Sequence, residues 1–277
     1  MSTVEEDDEQ DLTRKQRREQ ARGQRKALEE AEAAGAQRRK RLIQLGSVIG
    51  VVVVIVIVIV AATSGGSSGP PIKKVKPGET SPQVTSVTSL LAGIPQNGNV
   101  LGSPSAPVTM QYFGDLECPI CREFTLGALP KLIEKYVRTG KMKIEYRNLE
   151  TATREPETFR TQQVAALAAG KQQKAWYYIE LFYHEQGQED TGYVTEKYLE
   201  ELAQQVPGLS LPAWTSERNN PQYANTVTTD AQAANTVGFT GTPSFLIGKS
   251  GEPGQKYEYS SLSDPSGFES TINKLLG

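Results

Sequence analysis

Residues 42–62 read LIQLGSVIGVVVVIVIVIVAA, a stretch with no charge that is dense in Val and Ile from Val48 onward. At about 21 residues and roughly 30 Å of helical rise, it is long enough to cross the hydrocarbon core of a bilayer. A globular strand does not run this far without a turn signal. The run therefore predicts one transmembrane helix, and every other element must lie on one side of it or the other. A cleaved signal peptide is the competing reading, with Ala61 and Ala62 as a weak processing site, but about 41 residues precede the run, far more than a usual charged n-region. A lipoprotein anchor would need a cysteine just after the run, and the first cysteine is Cys118. The flanks give the orientation. RRKR, from Arg38 to Arg41, abuts the run on one side, while TSGGSSGP follows it without a charge. Basic residues stay in the cytoplasm, which places the N-terminus inside and everything after Ala62 outside, where a pair of thiols can form and hold a disulfide.

The remaining chain divides by composition. Residues 1–41 are acidic and then mixed in Arg, Lys, Glu, Gln and Ala, with almost no large apolar residues, so they form a charged cytoplasmic tail that cannot bury a core. A basic stretch can bind nucleic acid. A solvated tail that fixes topology and touches anionic membrane lipid is the favoured reading, with no nucleic-acid partner expected. Residues 63–97, rich in Gly, Ser, Pro and Lys, read as a flexible linker. The folded domain is expected over 98–277, with 37% hydrophobic residues in the chain sufficient for a core.

Within it, Val108, Met110 and Tyr112 alternate as in a strand over 106–115. A helix carrying Phe124, Leu129, Leu132, Ile133, Tyr136 and Val137 on one face follows, with Pro130 expected to kink it. A second strand over 141–149 completes a strand, helix, strand unit of a length suited to a parallel crossover. Residues 155–237 turn helical, 243–251 return to strand and turn, KYEYS reads as a short strand, and 266–276 as a closing helix. The fold class is α/β: a small mixed sheet with a block of helices inserted.

Both cysteines of the chain fall in ECPICREF, over 117–124. Structural zinc takes four ligands, and the chain has one histidine, His184, so a metal site would have to be completed by a second chain. A purely structural disulfide across two residues closes one of the smallest loops and stabilises least. A redox pair has a mechanism. With a strand ending near Asp115 and a helix beginning at Pro119, a favoured first-turn residue, Cys118 falls at the N-cap, where free amides and the helix dipole favour a thiolate. Cys121 then lies one turn deeper, as the resolving thiol. No metal or cofactor is expected.

The segment FGDLECPICREF resembles the active site of the DsbA-like thioredoxin-fold proteins, disulfide oxidoreductases of the bacterial cell envelope. GFTGTPSFLIG, over 238–248, is similar to that family's second landmark, a Thr before a cis-proline that faces the cysteines. AALAAGKQQKAWYYIELFYHEQ resembles its inserted helical segment, and EYRNL the strand and turn before it. The resemblance covers 106–277 and implies a thioredoxin-like fold with a helical insertion over about 155–237. It also implies Cys118 as nucleophile, Cys121 as resolving thiol, Pro119 and Ile120 as the intervening dipeptide, and Thr242 and Pro243 as a loop that pairs with extended substrate. The implied partners are reduced exported proteins and a membrane quinone-linked reoxidase, a DsbB or vitamin K epoxide reductase homologue. One residue departs from the pattern: the best-known oxidants carry a histidine between the cysteines, and this chain has Ile120. With no charge there, and with Asp115 and Glu117 near enough to raise the thiol pKa, the expectation is a milder oxidant. A reductase or isomerase, or a tethered binding or chaperone module without exchange, remain open alternatives.

The topology has a direct test. Protease added to intact cells stripped of their wall is expected to digest the domain over 106–277 and spare the tail; removal of the tail instead reverses the orientation.

Overall fold

The structure, a computed structural model, describes residues 80–277. The charged tail, the apolar run and most of the expected linker lie outside the described residues, among which no helix is long and apolar enough to cross a membrane.

The organising strand is β3, Val108–Gly114, preceded by two short strands, β1 (Gln96–Asn97) and β2 (Val100–Leu101). Its parallel neighbour is β4, Met142–Asn148, in register from Val108 opposite Met142 to Gly114 opposite Asn148. On its other side runs β5, Ser244–Lys249, antiparallel, which in turn pairs with β6, Gln255–Tyr257. The sheet order is β1-β2-β4-β3-β5-β6. In β4 buried and half-buried residues alternate along the whole strand, whereas β3 ends in three consecutive buried residues, Tyr112, Phe113 and Gly114. A strand with neighbours on both edges and cover on both faces loses its polar side. Tyr112, Phe124, Phe245 and Phe268 fill one of those faces, with ring centroids 4.7 to 5.5 Å apart in the mutual contacts. Tilted and edge-on pairs of this kind add to simple area burial.

Residues 63–97 were expected to be linker throughout, yet they contain α1, Pro82–Leu91, as well as β1. Ser81 caps the helix by accepting the Val84 N–H at 3.1 Å, and Val84, Val87 and Leu91 form its buried stripe. The Arg138 guanidinium donates to the carbonyls of Leu90 and Ala92 at 2.6 and 2.7 Å, which satisfies orphan acceptors at the helix end. The Ser, Thr and Pro content hid three apolar residues at helical spacing. Helical structure is thus already present ahead of residue 98.

The helix after β3 is expected to kink at Pro130. It breaks three residues earlier. α2 spans Pro119–Leu126 and α3 spans Ala128–Leu132, followed by a π-helical turn at Ile133–Val137. Between them Gly127 adopts φ −102° and ψ −89°, and the Ala128 N–H leaves the helix to donate to Leu262 O at 2.9 Å. A Cβ on Gly127 would stand 2.6 Å from Glu123 O and 2.9 Å from Leu262 O, so only glycine fits. Pro130 falls in the first turn of α3, where a missing N–H costs nothing.

The helical insertion comprises α4 (Pro156–Gly170), α5 (Ala175–His184), α6 (Glu196–Gln205), α7 (Leu211–Glu217) and α8 (Pro221–Thr236). The small residues of α4 allow close approach, and Trp176 and Trp214 fill the space around them, donating their indole N–H to Asn99 O and Ala165 O at 2.9 and 2.8 Å. Asp230 on α8 fastens the insertion to the end of β4: it accepts from the Arg147 guanidinium, from the Asn148 backbone N–H at 3.0 Å and from the Asn148 side chain. The closing helix α9, Ser266–Leu276, buries Phe268 and Ile272 against the sheet. The mixed sheet, the parallel crossover and the inserted helices are therefore as expected.

Replacing Gly127 with Ala forces backbone apart rather than a flexible side chain. Its unfolding midpoint in denaturant is expected to fall by an amount worth about 1 to 3 kcal/mol; an unchanged midpoint means that the loop carrying Leu262 yields freely.

Candidate active site

The turn from β3 into α2 places the two thiols in different surroundings. Cys118 is the N-cap residue, with extended backbone at φ −70° and ψ 118°, and its sulfur accepts the Cys121 N–H at 3.4 Å. It retains 5% of its surface, whereas Cys121 retains none. Both are free thiols. The hydrogen bond from the Cys121 side chain does most to lower the Cys118 thiol, outweighing burial. The Thr242 side chain and the amides of Cys121 and Ile120 assist, and the result is about 6 against an ordinary 9.0. Burial pushes the Cys121 thiol well above its ordinary value, and its hydrogen bond to Cys118 adds to the rise. One group is poised as a thiolate and the other is held as a thiol.

The cis peptide Thr242–Pro243 faces Cys118: in its thiol form the sulfur donates to Thr242 O at 3.5 Å. All the positions singled out in the sequence, Cys118, Pro119, Ile120, Cys121, Thr242 and Pro243, thus meet at the end of the sheet where β3 hands over to α2 and β5 begins. Ile120 is a large apolar residue left 44% exposed beside the sulfur. His184 stands at the end of α5, where burial and the Arg122 charge hold its pKa below the ordinary value. Among the described residues no group of three or more His, Cys, Asp and Glu is placed to hold a metal ion.

Other supporting residues emerge only in three dimensions. Tyr112, Tyr146 and Tyr183 meet at their hydroxyls, 3.2 and 3.3 Å apart. Tyr112 also donates to Cys121 O at 3.4 Å, and Tyr183 to Asp115 O at 3.1 Å. Gln186 donates to Leu116 O and Cys118 O at 2.7 and 3.1 Å. The motif's carbonyls are thereby satisfied from the sheet as well as from the insertion. Asp115 and Glu117, expected to raise the Cys118 thiol, do not prevent its net fall. The Asp115 carboxylate is turned away into a loop after β4, and Glu117 is itself pushed up to about 7, chiefly by burial.

A sequence profile of the family described as Thioredoxin matches residues 95–272. The chain belongs to the thioredoxin family. A probable disulfide bond formation protein D of Bacillus anthracis is 24% identical over 154 residues, covering 53% of this chain and 68% of that protein. The crystal structure of oxidised BdbD from Bacillus subtilis superposes with a TM-score of 0.55 at 23% identity, covering 67% of this chain and 97% of that one. Wolbachia pipientis alpha-DsbA1 gives 0.51 at 21% identity, with 67% and 92% covered. This thioredoxin-family domain therefore has the DsbA-like architecture, with helices inserted in the sheet, and is a thiol:disulfide oxidoreductase.

The alkylation rate of the reduced protein with a small haloacetamide should follow the Cys118 thiolate. It is expected to rise with a midpoint near pH 6, with Cys121 unmodified until far higher pH. Two thiols that react at equal rates, or a midpoint near 9.0, contradict this geometry.

Proposed function

We propose that the chain is a membrane-tethered oxidant that forms disulfides in exported proteins. The observation that carries this reading is the asymmetry between an N-cap sulfur lowered to about 6 and a fully buried partner one turn below. In the oxidised protein a substrate thiolate attacks Cys118, the bond to Cys121 breaks, and Cys121 leaves as a thiolate that takes up a proton. The substrate's second thiolate then attacks the substrate sulfur of the mixed disulfide. A substrate disulfide forms and Cys118 leaves as a thiolate. Leaving thiols of low pKa depart fastest, so a sulfur near 6 favours donation over retention of the disulfide.

The exchange needs no cofactor. Electrons pass on to a membrane quinone-linked reoxidase, the partner that the DsbA-like resemblance implies, and the apolar run over 42–62 would keep the domain beside it at the outer face of the membrane. A thiol near 6 lies between a strong oxidant of this family, about 3.5, and thioredoxin, about 7, in keeping with a milder oxidant whose intervening dipeptide is Pro119 and Ile120. Thr242 backbone, beside the sulfur, is placed to pair with an extended substrate segment as in strand addition.

Cys121→Ala is expected to accumulate mixed disulfides, formed as the Cys118 thiolate attacks a disulfide of an exported protein with no Cys121 thiol left to displace that protein from Cys118, and Cys118→Ala to accumulate none. Equilibration with glutathione gives the direction of flow. Trapping by Cys118→Ala alone reverses the assignment of the two thiols, and absence of any cysteine-dependent exchange leaves a binding module.

A further inference from the structure

Under the loops that build the site lies a small apolar cluster that the exchange does not use: Phe113, Leu149, Ala234 and Phe239, packed apart from the main core. Phe113 stands at the end of β3, just ahead of Asp115 and Cys118; Leu149 opens the loop after β4; and Phe239 precedes Thr242 in the loop that leads from α8 to β5. The way Phe239 arrives there is written in its neighbours. Helix α8 ends in a Schellman turn, with Gly238 at φ +72° and the Gly238 and Phe239 N–H groups donating to Asn235 O and Ala234 O, both at 2.9 Å. That turn sets the Phe239 ring against Phe113, with centroids 5.3 Å apart and planes at 64°, and the Lys256 ammonium covers Phe239 at 5.3 Å. Between the end of α8 and Pro243, Phe239 is the one buried residue, while Gly238, Thr240 and Gly241 are exposed.

We propose that Phe239 is a positioning residue for substrate pairing: it pins the loop that carries the Thr242–Pro243 peptide, so that an extended peptide paired with the Thr242 backbone brings its own cysteine to Cys118. Thr242 O lies 3.5 Å from the Cys118 sulfur, so holding a substrate at that backbone and aiming its sulfur at Cys118 are one geometric requirement. A shift of about 1 Å in a reacting group is enough to slow a reaction by up to about a hundredfold. Helix α8 is fastened independently, by Asp230 to Arg147 and Asn148, so the freedom that Phe239 removes is confined to the loop beyond it. The inference rests on the strand-addition reading of Thr242 and names what holds that backbone in place.

Two reductants of the oxidised full-length chain separate placement from chemistry: an extended peptide with a pair of cysteines, and dithiothreitol, which has no amide to pair. With either one, a thiolate attacks Cys118, the reductant leaves as a disulfide, and Cys118 and Cys121 are left as thiols. In a single turnover Phe239→Ala is expected to slow the peptide about tenfold and dithiothreitol by no more than about twofold. Phe239→Leu, which refills the space beside Phe113 and Leu149, should recover most of the peptide rate. Where the alanine variant does not fold, Phe239→Val leaves a smaller gap and should show the same split to a lesser degree. Equal slowing with both reductants overturns the inference, as does a wild-type peptide rate in folded Phe239→Ala. The exchange reading fails separately, if wild type reacts with neither reductant through Cys118.

Discussion

The end of the central strand is where this fold is most constrained, because there the chain leaves a fully covered sheet and its backbone polar groups are out of reach of water. Asp115 is fully buried at that point, and its carboxylate gathers amides from both sides: Glu117 on the way into the helix, and Thr151, Ala152 and Thr153 on the way out of β4. A buried carboxylate is tolerable only when so many donors replace its hydration. The parallel register of β3 and β4, which sets Gly114 opposite Asn148, is what brings the two exits together, and the Asp230 contacts to Arg147 and Asn148 hold the second exit from the other side.

The difference between the thiols follows from their depth relative to that exit. Cys118 meets the unpaired amides of the first helical turn, and an anion there is stabilised by donors that have no intrahelical partner. Cys121, one turn along, is fully buried in the same core cluster as Tyr112 and Phe124, where the same anion has no solvation. No charged side chain is required for the asymmetry. This explains why Ile120 in place of a histidine leaves the Cys118 thiol low: the largest contributions come from Cys121, Thr242 and backbone. The Cys121 thiol one turn below, with the helix start and Thr242 assisting, carries the chemistry.

The parts of this arrangement that were legible in the sequence are those fixed by neighbours in the chain. The N-cap placement of Cys118 follows from a strand, a short turn and Pro119, and the structure has that register. Val108, Met110 and Tyr112 show their strand by alternation alone. The helix Pro82–Leu91 stayed hidden because its apolar residues are few and its capping residue sits among many others of the same kind. The break at Gly127 stayed hidden because its cause is Leu262, far along the chain, while Pro130 offered a local signal of the wrong strength. Thr151, Gln186 and the tyrosine hydroxyls have no sequence signature, since each acts on the motif across a tertiary contact.

Two titrations at the site act in opposite directions, and their signs define the conditions under which the reduced form is most comfortable. Cys118 has a folded-state pKa of about 6, below its ordinary 9.0, so its contribution to stability is complete above 9.0 and is lost as pH falls through about 6. Glu117 has a folded-state pKa of about 7, above its ordinary 4.5, so the folded state prefers its neutral form, and that contribution is complete below 4.5 and gone above about 7. Burial dominates the Glu117 shift, with Asp115, Asp190 and Glu189 adding repulsion and a hydrogen bond to Thr153 opposing it. Between about 6 and 7, therefore, the site holds a thiolate at its mouth and a largely neutral carboxyl beside it. Above that interval Glu117 gains a charge one residue from Cys118. The acidic neighbour that the sequence suggested would oppose the thiolate does so mainly where the thiolate is already complete.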